Sequence, residues 1–600
     1  MSHTRASARV LALLACLILA FGHALAAPLR NQLHGHASPY LALHGEDPVA
    51  WQEWNAETLA RAKRENKLLF VSLGYFSCHW CHVMQKESYR DPAIAALLNR
   101  DFIPVKVDRE LNGALDAALI DFAEQLHGVS GWPLNAFVTP EGYPAYAVLY
   151  MPPAEFKTLL TRMAKAWRER GAAFARAARE AGASAGEAEP TPAPAPGWNP
   201  QDAYLDAVWR QADTLQGGFS RVSKFPMAPQ LARLLEIQAQ ARDARLGEFL
   251  RLTLDQMARR GLRDHVNGGF FRYTVDPDWH TPHFEKMLYD NAQLALVYAR
   301  AAEVLRRPDY REVASEALDF ILEFLAAPDG GYFTARSALD GKGREGGAYL
   351  WRAEALRARL DPEEYALARR VFGLDMAAAS GLGHLPMEVI EVAPEDRPRL
   401  HSLLGKLKAA GRGRDAALDS KINAGLNGLV LSALSRAGRG VPRFERAARE
   451  LRGYLDRRFL AAGVLMKTRA GRRVFADAEL DDYAYVAAGL ADYAAAFADP
   501  DARALARDLA GQAWRRFFTP AGWRREERPL LATTRPLPAL PDGALPSPSA
   551  RLIAVTRGLG PPDLDAALAR ATLLAQSAGR REPFEHPGLL ESAAARPGTR

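Results

Sequence analysis

The sequence is poor in cysteine, and its few cysteines are unevenly placed. Only three occur in 600 residues, and Cys16 lies in the apolar stretch near the start of the chain. If that stretch is removed on export, Cys78 and Cys81 are the thiols that the mature chain keeps. One such pair excludes a scaffold stapled by many disulfides. Two thiols separated by two residues indicate redox chemistry or ligation of a bound group.

A strong charge of one sign is also missing. The formal net charge is +7, and loss of residues 1–26, with two arginines and no acid, lowers it by two to +5. The basic residues are scattered, so no nucleic-acid partner is expected. Hydrophobic residues at 48% and charged residues at 24% are typical of a globular protein. A chain of this length accommodates two or three domains.

The sequence also lacks an apolar run long enough for a typical membrane span. Its longest candidate lies near the start of the chain. Basic residues precede the apolar segment Val10–Ala20, and Ala24-Leu25-Ala26 supplies small residues at a cleavage position. This pattern predicts a signal peptide over residues 1–26. We therefore expect an exported protein, periplasmic or secreted, with no stable membrane span after cleavage. An uncleaved anchor and lipid attachment at Cys16 remain alternatives.

Residues 27–181 are predicted to form a thioredoxin-like domain. The apolar run Leu68–Leu73 reads as a buried strand, and Cys78 follows it directly. A helix, a second strand over Phe102–Asp108, another helix, and a hairpin around Pro140-Glu141-Gly142 come next. That order of elements, closed by a long Ala/Arg-rich helix, is typical of an α/β thioredoxin fold.

The rest of the chain is predicted to be mainly helical. Residues 182–197 are rich in Ala, Pro, Glu and Gly without apolar periodicity, which indicates a linker. About a dozen amphipathic helices follow over residues 198–578, paired and separated by loops that contain Gly or Pro. This pattern favours an α/α toroid over a four-helix bundle. Residues 579–600 are expected to form a loose tail.

The motif Cys78-His79-Trp80-Cys81 is the predicted catalytic centre. At the start of a helix, Cys78 receives backbone N–H donors and the positive end of the helix dipole, which favour its thiolate. Cys81, one turn later, is placed to attack a mixed disulfide formed at Cys78. A protonated imidazole of His79 or His82 would favour the thiolate further.

Two further positions bear on this centre. Trp132 and Pro133 precede the first strand of the hairpin, where thioredoxin folds place a cis-proline beside the two cysteines. An ordinary loop proline is the simpler alternative there. Ser72 occupies the position at which thioredoxin has a buried acid that assists proton transfer. Proton transfer must then use a histidine, water or another acid.

Two other chemistries compete for the same cysteines. Cys78-His79-Trp80-Cys81-His82 matches the attachment site of c-type haem, with His82 as the iron ligand. Against this, the motif lies between a strand and a helix of an α/β pattern, whereas small c-type cytochromes are helical. A zinc site is less favoured because the sequence has no second CxxC. We therefore expect no metal and no cofactor.

Longer motifs run through both predicted domains, from about Leu29 to past Gly489. They are Ser38–Leu41, Asp47–Val49 with Trp51, Gly74–Met84, Glu87–Tyr89, Val105–Glu110, Gly131–Leu134, Gly217–Phe219, Lys224–Pro226, Gly268–Tyr273, Pro282–Ala292, Asn427–Leu429 and Leu480–Ala484. In these motifs the chain resembles the thioredoxin-domain family that includes the mammalian spermatogenesis-associated thioredoxin-like protein and bacterial homologues. The resemblance implies a thioredoxin-like domain fused to an α/α barrel similar to six-hairpin glycosidases and sugar epimerases. It implies no secure reaction.

The chain departs from this family at three places. The acidic stretch that usually follows a Gly-Gly-Phe-Tyr loop is replaced by Arg336–Leu339, and Leu426 stands where a tryptophan is usual. The common C-terminal cysteines are absent. These differences weaken an expectation of sugar chemistry more than one of redox chemistry.

A possible cavity in the barrel is predicted from ionisable and aromatic residues in otherwise apolar segments. Two converging carboxylates could act as acid and base on a glycoside, and aromatic rings could stack on a sugar. Alternatively, Glu285 and Asp290 merely begin and cap helices, and Asp481 and Asp482 supply a charged first turn. The residues concerned are Tyr273, His283, Glu285, Asp290, Asp481 and Asp482.

Two classes of function follow from these observations. The first is an exported thiol–disulfide oxidoreductase whose barrel binds a client, with a protein thiol or disulfide as client or redox partner. The second is a protein that binds or modifies carbohydrate, in which the thioredoxin-like domain is structural or regulatory.

Overall fold

The computed structural model describes residues 28–184, 199–378, 380–560 and 562–594. The predicted signal peptide, residues 1–26, lies outside these ranges. So does the part of the predicted linker from residue 185 to residue 197. Residues 182–184 of that linker belong instead to the end of a long helix.

The N-terminal part is the predicted thioredoxin-like domain. Its strands are β1 (Leu69–Gly74), β2 (Ile103–Asp108), β3 (Leu134–Val138) and β4 (Pro144–Val148), in the sheet order β2-β1-β3-β4. Strand β2 runs parallel to β1, while β3 and β4 form an antiparallel hairpin at the other edge. The helices are α1 (Pro39–Leu43), α2 (Ala56–Glu65), α3 (His79–Met84) with a π-helical turn over Gln85–Tyr89, α4 (Pro92–Asp101), α5 (Gly113–His127) and α6 (Pro153–Ser184).

Strand β1 is buried on both faces, which explains its continuous apolar sequence. All six of its residues are buried, because helices cover the sheet above and below. It ends at Gly74, and the chain turns through Tyr75 and Ser77 into α3. The two cysteines therefore lie at the carboxyl end of the central strand.

The C-terminal part is an α/α toroid, as predicted. In the described part of the chain, six helices contact one another in a closed ring, and six more pack outside it. The inner helices are α8 (Ala228–Ala241), α10 (Leu288–Val304), α15 (Ala424–Arg436), α17 (Leu480–Phe497), α19 (Pro548–Leu559) and α21 (Pro587–Ala594). The outer helices are α7 (Pro200–Gln211), α9 (Ala244–Arg259), α11 (Asp309–Phe324), α16 (Pro442–Phe459), α18 (Pro500–Phe517) and α20 (Asp565–Arg581).

Burial explains which helices form the inner ring. The inner helices α10, α15 and α17 are buried around most of their circumference, whereas α9 and α16 bury one apolar stripe and expose charged residues. A helix that is apolar on nearly every side must be surrounded by protein. Outer and inner helices alternate along the chain, so each short connection forms a helical hairpin.

A substantial insertion interrupts this alternation between α11 and α15. It contains α12 (Ala353–Arg357), α13 (Pro362–Val371) and α14 (Arg397–Ala410), which enclose a small apolar core of their own. Helices α13 and α14 were predicted to belong to the ring. In the structure they belong to this insertion instead. Their apolar stripes match those of ring helices, so the sequence alone did not separate them.

The loops of the barrel carry short strands. Strand β8 (Ala335–Asp340) pairs with β7 (Lys286–Met287) and β9 (Ala416–Asp419), a sheet that the sequence did not reveal. The other short strands are β5 (Tyr273–Thr274), β6 (Pro282–His283), β10 (Lys421–Asn423), β11 (Leu460–Ala461), β12 (Val464–Leu465), β13 (Thr468–Ala470), β14 (Arg473–Phe475), β15 (Phe518–Thr519) and β16 (Gly522–Trp523).

The loose tail predicted from residue 579 is wrong for the described residues up to 594. Helix α20 continues to Arg581, a short 3₁₀ turn follows, and α21 packs against both α19 and α8. Phe584, Leu589 and Leu590 are buried in the main core. The segment packs against the barrel because it closes the ring of inner helices. This role depends on contacts with helices far away in the sequence, so no local pattern predicted it.

None of the helices in the described ranges is both long enough and apolar enough to cross a membrane.

Candidate redox site at the domain interface

The two cysteines lie at the first turn of α3. Cys78 occupies the N-cap position, and its sulfur accepts a hydrogen bond of 3.2 Å from the Cys81 backbone N–H. The two sulfurs are joined as a disulfide. The exposed fractions are 3% for Cys78 and 1% for Cys81, so the pair is covered by the surrounding protein. A helix N-terminus directed at Cys78 favours its thiolate once the disulfide is reduced.

The peptide bond between Trp132 and Pro133 is cis, as the position of the proline predicted. The Trp132 indole N–H donates a hydrogen bond of 2.7 Å to Asp116 of α5. The Arg109 guanidinium lies 3.9 Å from the centre of the Trp132 ring, and Tyr75 packs edge-on against that ring. These contacts fix the loop that lies beside the cysteines.

Neither histidine of the motif is charged at neutral pH. Burial, together with the charge of nearby His283, lowers the pKa of His79 to about 4. Burial likewise lowers the pKa of His82, whose Nε2 donates a hydrogen bond of 2.8 Å to the Phe76 carbonyl. The expected help of a protonated imidazole is therefore absent, and the helix terminus remains as the feature that favours the Cys78 thiolate.

The barrel contacts the loop from Tyr75 to Ser77, which leads into Cys78, through a buried polar network. Tyr75, three residues before Cys78, donates a hydrogen bond of 2.7 Å to Glu285 of the barrel. Arg272 lies 3.2 Å from the same carboxylate oxygen and also contacts the Tyr75 hydroxyl. Ser77 donates to the Met287 sulfur at 3.4 Å. Because all these side chains are buried, the two domains meet directly behind the cysteines.

Glu345, from the barrel insertion, links the motif to a second histidine. Its carboxylate lies 3.4 Å from His79 Nε2 and 3.4 Å from His283 Nδ1. The rings of His79 and His283 are 5.9 Å apart, centre to centre. Burial raises the pKa of Glu345, and the nearby Glu285 carboxylate raises it further. Three ionisable groups from two domains thus meet one residue away from Cys78.

A cavity of about 360 Å³ opens beside this cluster. His79 and Trp80 form its thioredoxin-side wall, and Trp80 is 45% exposed. The barrel wall is mainly apolar, with polar groups near the cysteines and at one rim. Its lining includes Tyr273, Val275, Pro282, His283, Phe284, Glu345, Leu350, Phe372, Met376, His384, Leu385, Met387 and Val389. The volume and character of this cavity suit a small molecule or a side chain of a larger one.

A protein-family model described as Thioredox_DsbH, protein of unknown function, DUF255, matches residues 30–184. Human spermatogenesis-associated protein 20 is 30% identical over 543 residues, which cover 77% of this chain and 67% of the human protein. The chain belongs to the family of spermatogenesis-associated protein 20. The rat member is 32% identical over 532 residues, covering 77% of this chain and 66% of the rat protein. The chain thus spans about two thirds of the length of these family members.

Two solved structures of other proteins are similar in part. A GH76A α-1,6-mannanase from Salegentibacter sp. HEL1_6 is 10% identical, with a TM-score of 0.39, and covers 66% of this chain and 98% of its own. A DsbH oxidoreductase is 19% identical, with a TM-score of 0.17, and covers 20% of this chain and 85% of its own.

The residues predicted for a barrel cavity are only partly brought together in this family member. Tyr273 and His283 line the interdomain cavity with stacked rings 5.0 Å apart, and Glu285 lies just behind them. Asp290, in the first turn of α10, is buried near Glu285 and Arg272 but does not line the cavity.

Asp481 and Asp482 belong to a different part of the barrel. Asp481 pairs with Arg525 at 3.1 Å, and the Asp482 carboxylate accepts hydrogen bonds from the Glu479 and Gly425 backbone N–H groups. Both residues lie in the first turn of α17 and make it acidic, which was the alternative interpretation, and Asp482 also forms a capping box with Glu479. They do not converge with Glu285 on a shared site.

The sequence alone did not reveal Tyr75, Arg272 or Glu345 as site residues. Tyr75 and Arg272 fall inside the motifs that carry the family resemblance, so their place in those motifs was an available signal. Glu345 lies in the Gly-rich loop Gly341–Gly347 of the insertion, where nothing in the local sequence marks it. Its role depends on a contact between segments more than 250 residues apart.

Two geometric observations bear on the competing chemistries. His82 directs Nε2 at a backbone carbonyl, whereas a haem ligand needs that nitrogen to face the iron. Across the described residues, no three His, Cys, Asp or Glu side chains are grouped so that they could hold a metal ion.

Proposed function

We propose that the protein is a thiol–disulfide oxidoreductase that acts through Cys78 and Cys81 on a client bound between its two domains. The observation that carries this proposal is the position of the disulfide. It lies at a helix N-terminus, and the cis-proline Pro133 directly precedes β3, whose residue Leu134 pairs with Leu73 on the strand before the cysteines. His79 and Trp80, which follow Cys78, form one wall of an interdomain cavity. Clients therefore meet the barrel and the cysteines together.

The chemistry is a balanced exchange of two electrons. In the reducing direction, the Cys78 thiolate attacks a client disulfide, and one client sulfur leaves as a thiolate. Cys81 then attacks the mixed disulfide, which releases the second client thiolate and forms the Cys78–Cys81 disulfide. A dithiol redox partner restores the reduced pair. In the oxidising direction the same steps run backwards, and the relative reduction potentials decide which direction prevails.

The apolar cavity wall supports a role for the barrel in choosing the client. Phe284, Leu385 and Val389 offer surface to an apolar group, while the cluster of His79, His283 and Glu345 lies next to the cysteines. Carbohydrate chemistry in the barrel has less support, because Asp481 and Asp482 are engaged as caps and ion-pair partners.

Export is part of this proposal. Residues 1–26 have the charge and apolar pattern of a signal peptide. Cell fractionation and the N-terminal mass of the purified protein test it. A mature chain beginning at Ala27 supports export, and an intact Met1 in the cytosol contradicts it.

The two single-cysteine variants test the reaction. We expect Cys78→Ser to abolish insulin reduction and to form no mixed disulfide with a client. Cys81→Ser should also stop turnover but accumulate the mixed disulfide, because the resolving thiol is missing. Near-UV circular dichroism verifies that both variants fold. Full insulin reduction by Cys78→Ser would remove the proposal.

The role of the cavity is tested separately with Val389→Trp, which narrows it. We expect turnover of the client to fall about tenfold or more while the reduction potential of the cysteines stays unchanged. Val474→Trp, at an exposed position on β14, is the matched control. Equal turnover by both variants would show that the client does not use this cavity.

A further inference from the structure

A buried tyrosine hydroxyl lies close to the Cys81 sulfur without a hydrogen-bond partner. Tyr40 is 1% exposed, and among the described residues nothing accepts from or donates to its Oη. A Cβ atom added to Gly74 would lie 2.2 Å from Tyr40 Oη and 2.7 Å from Cys81 Sγ. Those two atoms are therefore at most 4.9 Å apart, the sum of the two distances. Gly74 leaves the space in which they approach each other.

A buried lysine, Lys106 of β2, contacts the face of β1 on which Gly74 lies. Lys106 Nζ donates a hydrogen bond of 2.9 Å to Ser72 Oγ and lies 5.3 Å from the centre of the Tyr40 ring. Ser72 and Gly74 are two residues apart on β1, so their side-chain positions share one face, about 7 Å apart. The amine and the Cys81 sulfur thus approach neighbouring positions on the same face of β1.

Among the described residues, no carboxylate forms a direct ion pair with Lys106. Burial lowers its pKa to about 7, and the more distant Asp47 carboxylate opposes that shift. Asp47 is itself engaged by His44 at 2.6 Å. The titratable groups that face Lys106 or Tyr40 from neighbouring elements are His44, Asp47, His82, Tyr89 and Asp108.

We propose that Tyr40 and Lys106 form the proton-handling site of Cys81, with the Tyr40 hydroxyl donating to the Cys81 sulfur and Lys106 taking its proton. This inference rests on the proposed oxidoreductase function. Before Cys81 can attack a mixed disulfide, its S–H bond must break. The proton goes to the neutral Lys106 amine, and the resulting thiolate is held by the Tyr40 O–H and the new ammonium charge.

The disulfide state explains why Tyr40 lacks a partner in this structure. A sulfur in a disulfide is a weak acceptor, so the buried hydroxyl carries an unmet desolvation penalty. Reduction turns Cys81 into a thiol or thiolate that accepts the hydrogen bond. Tyr40 therefore favours the reduced form, and this is a property that a phenylalanine of the same shape cannot supply.

Ser72 and His82, two other polar residues near the cysteines, already have hydrogen-bond partners. The Ser72 hydroxyl lies 2.8 Å from Tyr89 Oη and also accepts from Lys106. His82 Nε2 donates to the Phe76 carbonyl. The acid that thioredoxin has at the position of Ser72 is thus replaced by an amine from the adjacent strand, since Ser72 and Lys106 are paired in register.

The experiment uses Tyr40→Phe, Lys106→Met and the full chain labelled with ¹³Cβ-cysteine. In the reduced wild-type protein, NMR follows the ionisation of Cys81 against pH. We expect Cys81 to titrate about one pH unit higher in Tyr40→Phe, because one hydrogen bond to the thiolate is lost. The equilibrium with glutathione should shift about tenfold toward the disulfide, which is about 30 mV in the reduction potential.

Resolution kinetics provide the second measurement. A mixed disulfide between Cys78 and glutathione is prepared, and release of glutathione by Cys81 is followed against pH. Tyr40→Phe should slow release about tenfold at pH 7, and Lys106→Met should remove the step that the wild-type profile shows near neutrality. Tyr298→Phe, which removes a buried tyrosine hydroxyl in the barrel, is the matched control and should behave as wild type.

The outcomes separate this proposal from the proposed function. An unchanged Cys81 titration and unchanged release in Tyr40→Phe would overturn the proton-handling site, whatever the protein does with insulin. A shifted titration in a protein whose Cys78→Ser variant still reduces insulin would support the site and overturn the proposed reaction through Cys78. If Tyr40→Phe fails to fold, the pH profile of glutathione release in Lys106→Met decides. Loss of the step near neutral pH supports the site, and an unchanged profile overturns it.

Discussion

Asp290 illustrates how burial controls the chemistry of single residues at the domain interface. It lies in the first turn of α10, and its Oδ2 atom has no hydrogen-bond partner within the described ranges. Burial and the nearby Glu285 carboxylate raise its pKa to about 8, although Arg272 and Arg109 oppose the shift. At neutral pH the side chain is therefore mainly protonated, and it lies outside the lining of the interdomain cavity.

This protonation makes folding stability depend on pH. Between its unfolded pKa near 4 and its folded pKa of about 8, the folded state binds a proton that the unfolded state has lost. The stability that Asp290 contributes is thus complete below pH 4 and declines as pH rises to 8. We expect Asp290→Asn to flatten this decline and to stabilise the protein at pH 8 by on the order of 1–3 kcal/mol.

Urea unfolding at pH 4.5, 6 and 8 provides the measurement. Asp121→Asn, which changes an exposed carboxylate on α5, is the control and should leave the wild-type slope intact. A variant with the same pH slope as wild type would show that Asp290 ionises normally in the folded protein.

At the scale of elements, the ring of inner helices depends on its last member. Helix α21 contacts α19 on one side and α8 on the other, so it joins the end of the barrel to its beginning. The buried side chains Leu589 and Leu590 fill the join. Without α21, apolar faces of two inner helices would be exposed to water.

We therefore expect truncation after Arg581 to destabilise the barrel strongly. Loss of two buried leucines alone removes roughly 4–10 kcal/mol, at 2–5 kcal/mol for each Leu side chain. Removal of only residues 595–600 is the matched control and should leave the melting temperature unchanged. Thermal unfolding followed by circular dichroism compares the two. A stable protein lacking residues 582–600 would contradict the role of α21 in closing the ring.

At the scale of the whole molecule, the two domains are joined by buried charge as well as by apolar contacts. Lys421 of β10 is fully buried and reaches into the thioredoxin-like domain. Its Nζ lies 2.8 Å from Asp108, 3.2 Å from Glu110 and 2.6 Å from Asp419. Ser38 donates a further hydrogen bond of 2.6 Å to Asp108. The three acids do not destabilise the interior strongly because all three interact with the Lys421 ammonium group.

Removing that cation should separate the domains. In Lys421→Met the three carboxylates lose their shared partner, and we expect a loss of about 3–5 kcal/mol. Calorimetry should then show two transitions, one for each domain, where the wild type shows a single one. Arg443→Met removes an exposed ion pair with Asp319 and should change stability by less than about 1 kcal/mol. A single, unshifted transition in Lys421→Met would contradict this account.

The sequence by itself determined the local elements and singled out the motif Cys78-His79-Trp80-Cys81. The strand before Cys78, the helix after it, the cis-proline position and the alternating helices of the toroid all follow from short-range patterns. Apolar periodicity and turn residues are properties of neighbouring positions, so they can be read from the chain alone. For the same reason, the sequence could not show that α13 and α14 belong to an insertion, since their apolar stripes resemble those of ring helices.

Only the tertiary structure decided which distant residues meet. Glu345 reaches His79 and Glu285 reaches Tyr75 across separations of more than 200 residues. The same packing leaves Tyr40 beside Cys81, gives His79 a lowered pKa, and makes the predicted loose tail the helix that closes the barrel. Burial and electrostatic interaction depend on distances in space, which no local pattern in the sequence records.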